Sequence, residues 1–236
     1  MDEIIKEILI ENKMAFHEIQ YDYKTYFTFF EDGKEDYYVL LFMSYEELKI
    51  LNEDSELKFE FLVNAIIEEE IRKKHLKEFD AVNLDYNLSV ILILNLEEET
   101  DLILKELHKI EENYRIAKKY ILPYNNNDVN NLKQKITSRN TIIELNRIAI
   151  ENSSLLNNKN ETWYKLLMSL FTKIPFLNYI PLNDNQQLKN IKNEINSELN
   201  NSQKTIVETI LSSFNQNQDI EEFLLTNNLF ENESRE

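Results

Sequence analysis

Residues 87–96, Asn87-Leu88-Ser89-Val90-Ile91-Leu92-Ile93-Leu94-Asn95-Leu96, decide the fold. From Val90 to Leu94 every side chain is apolar. In an extended chain successive side chains point to opposite faces, so this segment has apolar side chains on both faces. A strand of that kind belongs inside a sheet and is covered on each side. The run is also far shorter than the roughly 20 residues a membrane helix needs, so no membrane association is expected.

Upstream, His17 to Phe30 is dense in Tyr, Phe, Thr and Ile, and Tyr37-Tyr38-Val39-Leu40-Leu41-Phe42 follows after the polar Glu31-Asp32-Gly33-Lys34-Glu35-Asp36. Two β-prone runs around a short polar turn predict a β-hairpin. The one glycine of the chain, Gly33, falls in that turn, where a residue at positive φ is commonly needed. Before the hairpin, Ile4, Ile5, Ile8 and Leu9 form a helical stripe behind a cap at Asp2. After it, Ser44-Tyr45-Glu46-Glu47 has the form of a capping box opening a short helix. A longer helix is expected over 61–79, with Leu62, Ile66, Ile67 and Ile71 on its apolar side.

Downstream of the central strand, Thr100 or Asp101 caps a helix in which Ile103, Leu107, Ile110 and Tyr114 recur at helical spacing. Tyr120-Ile121-Leu122, just before Pro123, reads as a short closing strand. Asn125-Asn126-Asn127-Asp128 is polar and structure-breaking, and helical periodicity dominates beyond it. A boundary is therefore placed within 125–138. Trp163, Leu166, Leu167, Leu170, Phe171 and Ile174 form a stripe that stops at Pro175 and requires a partner surface. Another helix is expected from about Asp184 to Phe214. Its apolar pattern breaks between Leu199 and Ile206, so it reads as a packed helix and not a dimerising coiled coil. Residues 231–236 are expected to fray. The fold class is α+β: an N-terminal mixed sheet flanked by helices (residues 1–130), followed by an all-helical region (131–236).

The chain carries 26 basic and 43 acidic residues, a net charge of -17, and the imbalance is concentrated in one half. Residues 1–100 hold 25 acidic and 10 basic side chains, while residues 101–236 hold 18 and 16. Such a field repels bulk nucleic acid and anionic membrane, and it marks the first half as a surface for a basic partner. The N-terminus, Met1-Asp2-Glu3-Ile4-Ile5-Lys6-Glu7, lacks the basic start and apolar run of a secretory signal. A cytoplasmic setting is expected.

With a single glycine and no cysteine, the chain has no material for a glycine-rich phosphate loop or for thiol chemistry. Its histidines, His17, His75 and His108, are far apart and in no ligand spacing, so no metal and no cofactor are assigned. An acidic residue combined with an acidic-x-Lys tripeptide can build a metal-dependent nuclease. Asp36 with Glu47-Leu48-Lys49, or with Glu56-Leu57-Lys58, could be read as such a set. A third reading, an acidic DNA mimic or inhibitor, follows from the charge of the first hundred residues. Two basic clusters stand against the acidic background: Arg72, Lys73 and Lys74, and Arg115, Lys118 and Lys119. They complement helix C-termini, and they are the candidate contacts for DNA or an acidic partner surface.

The segment Ile110-Glu111-Glu112-Asn113-Tyr114-Arg115-Ile116-Ala117-Lys118-Lys119-Tyr120-Ile121-Leu122, following an apolar strand, resembles the middle component of bacterial ABC three-component systems. That group includes the small accessory subunit of Lamassu-type anti-phage defence. The resemblance spans roughly residues 20–135. This chain has Asn113 and Ala117 where the family pattern has Asp and Cys. The resemblance implies a non-enzymatic subunit that docks on an SMC-like ATPase and couples DNA sensing to an effector nuclease. The expected partners are those two subunits, with DNA contacted indirectly or through a local basic patch.

Overall fold

The computed structural model describes residues 1–32, 35–55, 57–77, 84–158, 160–180, 200, 203 and 204. Five strands form one mixed sheet in the order β1 (Met14–Ile19), β2 (Thr25–Phe30), β3 (Tyr37–Ser44), β4 (Leu88–Asn95) and β5 (Lys118–Tyr124). The first three make an antiparallel meander, whereas β4 runs parallel to both β3 and β5. The expected hairpin is β2 and β3, with Phe27 opposite Val39. The aromatic run 17–30 holds a reversal of its own, closed in part by the Thr25 hydroxyl donating to the Tyr23 carbonyl at 2.8 Å. Gly33 lies outside the described residues.

Each face of the sheet has its own layer of helices. Between β3 and β4 come α2 (Tyr45–Ser55), α3 (Phe59–Ala65), a π-helical segment (Ile66–Arg72), α4 (Lys73–His75) and α5 (Leu84–Asn87). Between β4 and β5 comes α6 (Asp101–Glu112). The sheet is extended in one direction from β3 to β5, so two crossovers of the same hand leave their helices on the same face. There Leu48, Leu62, Ile67, Ile71, Leu107 and Ile110 pack with Val39, Val90, Leu92 and Ile121. On the opposite face, α1 (Asp2–Glu11), α7 (Asn126–Lys133), α8 (Thr141–Glu151) and α9 (Thr162–Lys173) pack with Leu40, Ile91, Ile93 and Leu122. Strand β4 is thus buried on both sides, as its apolar run requires. The stripe from Trp163 to Leu170 finds its partner surface here.

Several local expectations change. Met1, not Asp2, takes the N-cap position of α1, and the Asp2 carboxylate instead pairs with Lys24 at 2.6 Å. The Ser44 box is present: the Ser44 amide donates to Glu47 at 2.6 Å and the Glu47 amide to the Ser44 hydroxyl at 3.2 Å. The single helix expected over 61–79 begins at Phe59 and passes through the π-helical segment. Thr100 caps α6 through the Ile103 amide, but the helix ends at Glu112, which leaves Tyr114 72% exposed. The asparagine run after β5 begins a helix where a break is expected. Asn125 accepts the Asp128 amide at 2.8 Å and is the N-cap of α7.

With that cap, α7 follows directly on β5. Met1–Leu182 forms one compact unit and Asn183–Glu236 a second. The first is continuous because α1 and α8 are tied together. Glu11 accepts the Thr141 and Ile142 amides at 2.5 and 2.8 Å, and Glu7 accepts the Thr141 hydroxyl at 2.5 Å. In the second unit, Asn200 and Gln203 exchange backbone-to-side-chain hydrogen bonds of 3.0 and 2.9 Å in the form of a capping box. The rest of the helix expected over 184–214, and the tail 231–236, lie outside the described residues. No helix among the described residues is long and apolar enough to cross a membrane.

Candidate functional site

The six basic candidates separate once folded. Lys73 and Lys74 turn along their own helix to Glu69, at 2.5 Å, and to Glu70. Both pairs are exposed i,i+4 contacts of small energetic weight. Lys119 is buried. Its ammonium donates to the carbonyls of Asn113, Arg115 and Ala117 at 2.5, 2.9 and 3.2 Å, and burial pulls its pKa down to about 8. It therefore pins the turn from α6 into β5 and presents no charge to solvent. Arg115 is exposed on that same turn.

Arg72 and Lys118 do meet, at the N-terminal edge of the parallel strands, in a cleft of about 680 Å³ that also includes Asp36, Asn87, Ser89 and Tyr114. The sequence folds this way because Arg72 is the last residue of the π-helical segment, with the Glu68 carboxylate 3.6 Å away. Lys118 opens β5, its ammonium 4.9 Å from the centre of the Tyr120 ring. The cleft wall includes Ile116 at φ 73°. A β-branched residue in the left-handed region costs on the order of 1–2 kcal/mol, which the hydrogen-bonded turn must offset. Asn113 contributes, its side-chain oxygen accepting from Asn64 at 3.2 Å and from the Arg115 amide at 3.1 Å.

The nuclease candidates are not brought together. Asp36 precedes β3 while Glu47 and Lys49 follow its other end, so about 26 Å of strand, eight residues at about 3.3 Å each, separates them. Glu47 is also occupied in the α2 cap. Glu56 lies outside the described residues, and Lys58 stands at the N-terminus of α3. The histidines sit on β1, α4 and α6, where His17 stacks on Phe29 and His108 lies 3.6 Å from Glu111.

Two features escaped the sequence reading. One is a cleft of about 740 Å³ at the opposite edge of the sheet, beyond the C-terminal ends of β4 and β5. In open sheets with parallel strands this is the edge where ligands most often bind. Its inner end holds buried Asp128, whose two oxygens accept from Thr162 at 2.5 Å and from the Asn125 amide group at 2.6 Å. Lys165 on α9 reaches Glu99 on the loop before α6. The spacing Asn125-x-x-Asp128 was the available signal, because it is a helix cap next to a strand end.

The other is the surface of α2, α3 and the connection between them. Ile50 on α2, Leu57 in the connection and Phe61 on α3 are 57%, 41% and 41% exposed, and Glu46, Glu53, Asp54 and Glu60 lie on the two helices. Apolar side chains bordered by charge are the usual build of a partner-binding surface. No family model, curated protein or solved structure matches this chain.

Proposed function

We propose that this chain is a non-catalytic accessory subunit that docks on an SMC-like ABC ATPase in an anti-phage defence complex and couples DNA sensing to an effector nuclease. The resemblance over Ile110–Leu122 motivates the class of partner. The observation that carries the docking is the exposure of Ile50 on α2, Leu57 in the connection to α3 and Phe61 on α3, beside helices rich in carboxylates. Burying three such side chains against a partner contributes several kcal/mol at about 25 cal/mol per Å². The surrounding acidic field steers a basic surface onto them.

Arg72 and Lys118 supply the local basic patch, with Tyr114 beside them for stacking. A nucleic-acid strand contacts this cleft only while the partner holds it there, because the net charge of -17 opposes free binding.

Affinity recovery of the tagged chain from its native host tests the reading. The wild type is expected to bring down the ATPase and the nuclease. A variant with Ile50→Asp and Phe61→Asp should lose both at least about tenfold while melting at an unchanged temperature, since the side chains it alters face water. Wild-type chain recovered without an ATPase, or a double variant that retains it, refutes the assignment.

A further inference from the structure

We infer that the cleft at the C-terminal ends of β4 and β5 is a receptor for a basic peptide segment, taking one arginine side chain beside Asp128 and Glu97. The inference deepens the docking reading by naming a second contact and its chemistry.

The cleft is about 740 Å³, within the range of about 300–1,000 Å³ usual for ligand pockets and too large for one side chain alone. Among the described residues its charge is lopsided: Glu97, Glu99 and Asp128 line it with a single cation, Lys165. Apolar walls from Leu96, Pro123 and Leu156 accompany these carboxylates and suit the methylene stem of a long basic residue. Leu156 is 64% exposed at this site, an apolar side chain left open to a ligand.

Asp128 is held before any ligand arrives. Thr162 and Asn125 each donate to one of its oxygens, which fixes the plane of the carboxylate and leaves each oxygen with further accepting capacity. A planar guanidinium matches a carboxylate fixed in this way better than a rotating ammonium does. The site also shows its preference internally. Lys165 crosses from α9 to pair with Glu99, so a cation of this very chain already occupies part of the acidic lining. An incoming arginine competes with that lysine.

This competition gives a test that a purely structural role would not pass. The full-length chain, labelled with ¹⁵N, is titrated with a capped peptide containing arginine between two leucines, and separately with the same peptide containing citrulline. The arginine peptide should shift the amides of Asn125, Asp128, Thr162 and Ser169 saturably, and citrulline, equal in shape but uncharged, should not. Glu97→Gln should weaken binding about threefold, as loss of one exposed charge does, and Lys165→Gln should tighten it by a similar factor. Absence of saturable shifts at these amides, equal binding of the citrulline peptide, or weakening by Lys165→Gln overturns the inference. A chain that recovers the ATPase yet ignores the peptide refutes the cleft alone. One that binds the peptide but recovers no ATPase refutes only the accessory reading.

Discussion

Replacing Glu11 by alanine should destabilise α1 and α8 together. Glu11 ends α1, and its carboxylate accepts the first two amides of α8 from 130 residues away. Asn140 remains the N-cap of α8, but leaving the Thr141 and Ile142 amides without an acceptor costs about 1–2 kcal/mol, and loss of a negative charge at a helix N-terminus roughly a further 0.3–1 kcal/mol. The neighbouring bond from Thr141 to Glu7 keeps one anchor, so the total is placed at about 2 kcal/mol. In a unit of this size such a loss lowers the melting temperature by about 4–8 °C.

The assay exploits the single tryptophan, Trp163, which is buried on α9 and reports on the late helices alone. Hydrogen exchange at the Ile91 and Ile93 amides reports on the centre of the sheet. If Met1–Leu182 is one cooperative unit, both probes in Glu11→Ala should move by the same free energy. A tryptophan transition that shifts while Ile91 and Ile93 stay protected would show that the late helices melt independently. The reasoning behind a single unit would then fail.

Two pH effects have the same sign in different windows: each group is held below its ordinary pKa in the folded chain, so stability rises with pH through both. Glu144 is held down to about 2 by the Arg147 guanidinium and the Thr137 amide, so its contribution is complete above its ordinary 4.5 and is lost as pH falls toward 2. Denaturation curves between pH 5 and pH 2 should show a steeper loss of stability in the wild type than in Glu144→Gln. Lys119 is also shifted down, by burial, from 10.5 to about 8, so between those values the unfolded chain binds the extra proton and stability rises with pH. Lys119→Met should abolish that rise and, by orphaning three carbonyls, cost about 2–3 kcal/mol at neutral pH. If the variant shows the same pH dependence as the wild type, Lys119 is not the titrating group.

Much of the sheet could be read from the chain because its signals are local. Val90 to Leu94 carries its own burial pattern, and Ser44 with Glu47 satisfies its cap within four residues. The asparagine run shows the opposite case. Asn125 looks like a breaker by composition, yet the same side chain that disfavours a helix interior is a strong N-cap. Which role it takes depends on whether the following helix has a surface to cover, and Ile91 and Leu122 provide that surface only in three dimensions. Tyr114 keeps the spacing of the α6 stripe, but Asn113 has already left helical backbone before it. The basic clusters were visible as charge, but their fates were not. Lys119 is taken by carbonyls, Lys73 and Lys74 by carboxylates one turn away, and Arg72 and Lys118 reach one cleft only through the crossover of the sheet.

The two helix layers are completed at different moments of synthesis. The layer made by the crossovers is finished once β5 has emerged, but the other waits for Trp163, Leu167 and Leu170, some fifty residues later. At about 5–20 residues per second, the nascent sheet leaves the ribosome with one greasy side uncovered for about 3–10 s. At the start of that interval α1 is its cover, joined in turn by α7 and α8, which makes the first eleven residues an early lid for the newborn chain.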